Sequence, residues 1–111
     1  MITVVNKYAH IASANDVNIM RPSPLGNPFS HKHGTLARYQ VSTRQEAVAA
    51  YKKHLVSEIN LRNPAILKAL KNIQQLSEAG NVNLVCCCKP LACHGDVIKE
   101  LIESNLYQFN V

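Results

Sequence analysis

The stretch Val82-Asn83-Leu84-Val85-Cys86-Cys87-Cys88-Lys89-Pro90-Leu91-Ala92-Cys93-His94-Gly95-Asp96 decides how this chain of 111 residues folds. Val82 to Cys88 is apolar apart from Asn83, which suits a central strand buried between layers. Lys89-Pro90 breaks it. Val97, Ile98, Leu101 and Ile102 then recur at helical spacing, with Asp96 in the first turn, so the segment reads as strand, turn and helix start.

Outward from this unit the chain keeps alternating. Ile2 to Asn6 and Val17 to Met20 read as short strands. Thr43-Arg44-Gln45-Glu46 has capping-box spacing and opens a helix with Ala47, Val48, Tyr51, Leu55 and Ile59 on its apolar face. Asn63-Pro64 starts another, with Ile66, Leu67, Leu70, Ile73 and Leu76 facing the core and Gly80 as its stop. Residues 21 to about 42 read as one long loop, which Leu25, Phe29, Leu36 and Tyr39 hold in order. The tail from Leu106 to Val111 alternates like a short edge strand. Helical connections between strands place those strands parallel. The expected fold is therefore a small α/β domain over residues 1–111: a three-layer-like sandwich of three to four mostly parallel strands and about three helices.

A chain of this size cannot divide its apolar residues between two cores. Its 47% hydrophobic and 17% charged content excludes disordered and collagen-like classes. No apolar run approaches the roughly 18 residues of a membrane helix, and the N-terminus lacks a secretory pattern, so the expectation is a cytoplasmic protein without membrane attachment. All four cysteines lie within eight residues, where disulfides would close only tiny loops. Metal or thiol chemistry fits better.

Residues 1–75 carry a net charge of +7 and residues 76–111 of −2. From Val17 to Gln45 there are Arg21, Lys32, Arg38 and Arg44, with His31 and His33, and no acid at all. That run attracts an anion, either a phosphorylated small molecule or nucleic acid spread over basic residues 17–75. A solvated basic surface is the plain alternative. The sequence leaves pairing with a second copy open.

Two readings compete for the sulfur-rich segment. As a reactive site, Cys93 or Cys88 is an activated thiol and His94 a general acid/base at the positive end of a helix, with Asp96 orienting His94. As a zinc site, Cys86, Cys88, Cys93 and His94 supply four ligands, although adjacent Cys93 and His94 rarely turn to one ion. Buried packing is the third role, and Cys87 suits it. Arg21 can grip a phosphate with its planar fork, Asn27 can read a polar edge, and Gly26 allows close backbone approach. Equally, Arg21 can bond loop carbonyls and Asn27 can cap a turn.

Arg21-Pro-Ser-Pro-Leu-Gly-Asn-Pro-Phe29, Thr43-Arg-Gln-Glu-Ala-Val48 with Tyr51, and Cys86-Cys-Cys-Lys-Pro-Leu-Ala-Cys-His-Gly-Asp96 resemble, in order, the domain of unknown function family numbered 4326. That family is frequent in bacteria and their viruses. The resemblance implies Arg21, Ser23, Gly26, Asn27, Cys86, Cys88, Pro90, Cys93, His94, Gly95 and Asp96 as motif positions; Cys87 stands where an aromatic residue is common. It also implies a small nucleotide-related α/β protein in a bacterial or phage-infected cytoplasm, without supplying a reaction. The expectation is a rim pocket that binds a nucleotide-like or phosphorylated molecule, with its processing by hydrolysis or group transfer left open. Cys93, His94 and Asp96 would be catalytic, and Arg21, Ser23, Gly26, Asn27 and Cys88 would bind the ligand. The alternative is a zinc- or nucleic-acid-binding accessory protein without catalysis.

Overall fold

The computed structural model describes residues 1–32 and 38–110, so His33 and Leu36 lie outside the described residues. Eight elements follow one another: β1 (Ile2–Asn6), β2 (Asp16–Asn18), β3 (Phe29–Ser30), β4 (Tyr39–Gln40), α1 (Arg44–Asn60), α2 (Pro64–Ala79), β5 (Val82–Cys86) and α3 (His94–Glu103). This is the α/β fold with a short parallel sheet and three helices that the alternation implies.

The main sheet has the order β1-β5-β2, with both pairs parallel. Val4 lies beside Leu84 and Val17 opposite it on the other edge, so β5 is the central strand. Along β5, Val82, Leu84 and Cys86 are buried while Asn83 and Val85 are half-buried. The three helices all contact one another, and α2 and α3 both pack on β5. They therefore gather on one side of the sheet, and the two main layers are sheet and helices. The expectation of a strand enclosed on both faces is corrected accordingly: Asn83 faces a polar cluster, not a helix.

That cluster fixes the β1–β2 connection. The Asp16 carboxylate accepts hydrogen bonds from the Ser13 amide (3.0 Å), His10 Nε2 (2.9 Å), Ser13 Oγ (3.1 Å) and Asn83 Nδ2 (3.1 Å). These donors, the Ser13 amide foremost and His10 next, hold the Asp16 carboxyl down to about 2.

Several sequence expectations shift in detail. The long loop of residues 21 to 42 contains a two-stranded parallel ladder, Phe29 beside Tyr39 and Ser30 beside Gln40, because these side chains stack: the Phe29 and Tyr39 rings are 5.2 Å apart. At the start of α1, the Glu46 amide donates to Thr43 Oγ1, but the Glu46 carboxylate accepts from Ser42 and not from Thr43. Leu76 is 38% exposed instead of core. β5 ends at Cys86, which leaves Cys88 in the following turn. Residues 106–110 form no strand; Phe109 is buried, and the Arg62 guanidinium takes the carbonyls of Gln108 and Asn110 in place of a neighbouring strand. Among the described residues no helix is long and apolar enough to cross a membrane.

Gly95 is where helix and sheet meet most closely. A Cβ there would lie 2.8 Å from Val4 Cγ1 and 2.9 Å from Ile19 Cδ1, inside contact distance. Gly95→Ala should therefore cost about 1–3 kcal/mol by overpacking, read as a lowered denaturation midpoint with an unchanged slope in urea. The Asp16 cluster predicts a pH effect. Its folded carboxyl lies below the ordinary 3.8, so its stabilisation is complete above that value and is lost as pH falls toward about 2. In thermal melts at stepped pH, the gap between wild type and Asp16→Asn should be widest above pH 3.8 and close on acidification.

Candidate functional site

The carboxyl ends of β2 and β5 run into two proline-bearing turns, each entered through a cis peptide bond, Arg21-Pro22 and Lys89-Pro90. Because the strands are parallel neighbours, the two turns emerge on one rim, where open α/β sheets offer a crevice. A cleft with about 130 Å³ of open volume lies there, lined by Arg21 and Asn27 from the first turn and by Cys86, Cys88, Cys93 and His94 from the second segment. The ladder adds Phe29 and Ser30, the following residues add His31 and Lys32, and α1 adds Arg44, Ala47 and Val48. The Arg21 and His94 side chains thus share one cavity wall.

Helix α3 starts at this wall with a cysteine cap. The Gly95 amide donates to Cys93 Sγ (3.4 Å), and the Asp96 carboxylate accepts from the Cys93 amide (3.2 Å), completing a capping box. Asp96 also pairs with Lys89 at 2.6 Å, and that hydrogen bond raises the lysine's affinity for its proton. Asp96 is spent on the helix end and the turn, and it does not reach the ring that the sequence reading gave it to orient.

That ring is held elsewhere. His94 Nε2 is 2.6 Å from the Ile19 carbonyl, which can only accept, so this nitrogen carries the proton and Nδ1 presents its lone pair, 3.7 Å from Cys93 Sγ. The edge of Tyr51 packs against the ring at 4.9 Å, and the Tyr51 hydroxyl donates to the Leu25 carbonyl. Burial lowers the His94 pKa and so keeps it neutral, while burial raises that of Tyr51 and keeps it a donor.

The thiols differ sharply. Cys86 and Cys93 are buried, Cys87 is exposed and Cys88 is half-buried. The Cys93 thiol faces the sulfurs of both Cys86 and Cys88 and lowers the pKa of each, and the same contacts raise its own. One S–H cannot donate to two acceptors at once, and two adjacent thiolates repel. Cys88 is lowered furthest, to about 5, because the Cys93 thiol and then the Arg44 guanidinium favour its charged form over the cost of burial. Cys87 is pushed the other way by desolvation and by Cys88 beside it.

The ligand-binding expectations divide. Arg21 reaches the cleft and gives one N–H to the Asn27 carbonyl at 2.6 Å. Asn27 lines the wall, but its amide is occupied: Nδ2 donates to the Ala47 carbonyl and Oδ1 accepts from the Phe29 amide. Gly26 serves close approach within the protein, since a Cβ would stand 2.8 Å from Arg21 Cα. Ser23 is away from the cleft; its hydroxyl is buried without a hydrogen-bond partner among the described residues. As for zinc, among the described residues no group of three or more His, Cys, Asp or Glu side chains is placed to hold a metal ion, and His94 Nε2 is already committed to a carbonyl.

Arg44 and Lys32 complete the site without having been singled out by sequence motif. The signal was the acid-free run from Val17 to Gln45, and it carries through to the structure: the cleft wall has Arg21, Lys32 and Arg44 and no carboxylate among its lining residues.

Comparison with known proteins adds descent. Residues 3–104 match the family described as "Domain of unknown function (DUF4326)". The chain is also similar to an uncharacterized 12.4 kDa protein in the nrdA-td intergenic region of Enterobacteria phage T4, 33% identical over 100 residues, covering 90% of this chain and 76% of the phage protein. No solved structure matches.

The cap gives a direct prediction. Cys93→Ser keeps an acceptor for the helix amides and should stay within a few tenths of a kcal/mol of wild type, whereas Cys93→Ala should lose about 1 kcal/mol or more. Chemical denaturation of the two variants side by side checks the ordering.

Proposed function

We propose, for a chain that belongs to the family described as Domain of unknown function (DUF4326), that the rim cleft binds a phosphorylated small molecule of the nucleoside phosphate class by its phosphoryl group. One observation carries this reading: Arg21, Lys32 and Arg44 converge on a wall that bears no carboxylate among its lining residues. A carboxylate there would neutralise the cations internally; among the described lining residues only thiols can carry negative charge, with Cys88 beside Arg44, so the field of Arg21 and Lys32 is left for a ligand. Arginines present paired N–H groups that suit phosphoryl oxygens, and His31 adds a further donor.

Size argues for partial enclosure. About 130 Å³ is well below the roughly 300–1,000 Å³ of pockets that swallow a whole drug-sized ligand. The cleft therefore suits a phosphoryl group and its nearest atoms, with the remainder of the ligand lying outward along Phe29, whose ring is backed by Tyr39. A flat ring supported from behind favours an aromatic base over an aliphatic tail. Conversion of the ligand would fall to Cys88, since no carboxylate is among the described residues of the wall.

Isothermal titration at low salt with a nucleoside monophosphate and with inorganic phosphate tests the reading. Both should bind, the nucleotide more tightly, and affinity should fall with added salt. Arg44→Gln should weaken binding by about tenfold or more, the loss of one charged hydrogen bond. Lys53→Gln, outside the cleft lining, should leave it unchanged. No heat with either probe, or equal affinity for wild type and Arg44→Gln, overturns the proposal.

A further inference from the structure

The capping and electrostatic arguments leave one arrangement unexplained. Four thiols share a cleft wall with two arginines, yet the cap that Cys93 gives α3 does not require sulfur, since serine performs that role as well. Cys86 is buried at the end of β5, Cys93 is buried at the start of α3, and Cys88 sits between them in the turn, half-open to the cleft. The sheet and helix fix the two buried sulfurs, and Cys88, at the head of the Lys89–Ala92 turn, lines the same cleft wall as Cys93.

We infer that Cys88 and Cys93 form a reversible dithiol centre, in which Cys88 is oxidised by a hydroperoxide and Cys93 resolves the product as an intramolecular disulfide. The geometry assigns the roles. Cys88 is the member reachable from the cleft and the one next to the Arg44 guanidinium; Cys93 lies behind it, closed to solvent. Cys86 faces the same Cys93 sulfur, but it is buried. Cys87 also lines the cleft, but burial and the neighbouring Cys88 raise its pKa, which makes it the weaker nucleophile.

The chemistry balances with groups already in place. The Cys88 sulfur attacks the outer oxygen of the hydroperoxide, an S–O bond forms and the O–O bond breaks. The departing alkoxide or hydroxide takes a proton from water. Cys88 has lost two electrons and the peroxide has gained them. Next the Cys93 thiol gives its proton to the lone pair on His94 Nδ1, 3.7 Å away, and its sulfur bonds to that of Cys88. The S–O bond breaks, and the leaving hydroxide takes up that proton to become water. Because Nε2 holds the Ile19 carbonyl, the ring stays aligned through the exchange. A small external thiol reverses the disulfide by attack at Cys88, the accessible sulfur. None of this requires the cleft to bind a phosphate, so its test is separate from that of the proposed function.

The experiment uses the reduced full chain, freed of reductant. Iodoacetamide at mildly acidic pH, followed by peptide mapping, should label Cys88 about tenfold or more faster than Cys87, because the thiolate and not exposure sets the rate. Stoichiometric hydrogen peroxide should remove two hydrogens from the intact mass and yield a peptide linking Cys88 to Cys93, restored by a monothiol. Cys93→Ser, which keeps the helix cap, should instead gain one oxygen on Cys88, trapped by dimedone. Cys88→Ser should neither gain oxygen nor form the link. Preferential labelling of Cys87, dimers bridged through Cys87, or an unchanged product in Cys93→Ser would overturn the inference.

Discussion

The hydrogen bond from His94 Nε2 to the Ile19 carbonyl is the constraint on which the rest of the molecule turns. It joins the first residue of α3 to the end of β2, two points separated by most of the chain, and beside it the bare Cα of Gly95 rests on Val4 and Ile19. Any side chain at Gly95 would lift the helix off the sheet and pull the ring away from its acceptor. With the contact made, the turn after β2 and the turn after β5 have no choice but to face each other. The cleft is a by-product of that closure.

Closure also decides the chemistry of each group. A histidine that must donate to a buried carbonyl is committed to one tautomer, and burial keeps it neutral. Its other nitrogen is therefore a base aimed at a sulfur. Asp96, which sequence spacing places nearest the ring, goes instead to the helix end and Lys89, so no carboxylate offsets the arginines from below. The same economy governs Asn27, whose side chain ties the proline-rich turn to α1 and leaves Arg21, Lys32 and Arg44 as the cations of the cleft wall.

Much of this was legible from residue order. The apolar run Val82–Cys88 marked the central strand, two residues too long at its end, Asn63-Pro64 and Thr43 marked helix starts, and the acid-free run from Val17 to Gln45 marked the cationic wall. What escaped was long-range or atomic. The Phe29–Tyr39 ladder lies in a stretch whose prolines argue against regular structure, and it forms because two rings stack. The tail lost its strand to Arg62, a residue 46 to 48 positions earlier whose side chain supplies donors that no periodicity can show. Which of Cys88 and Cys93 has its pKa lowered depends on Arg44 approaching from another helix as well as on the thiols themselves, which residue spacing does not show. The motif resemblance placed the right segments together without saying which atoms were already spoken for.

The strand order β1-β5-β2 has a temporal side. Neither β1 nor β2 borders the other; each has its ladder partner only in Val82–Cys86. During synthesis on the ribosome, about three quarters of the polypeptide emerges with both edge strands unmatched, while α1 and α2 can form locally. Sheet, helix cap and cleft then assemble in one late, non-local event, and a chain interrupted before residue 82 would expose two unpaired strands to neighbouring nascent chains.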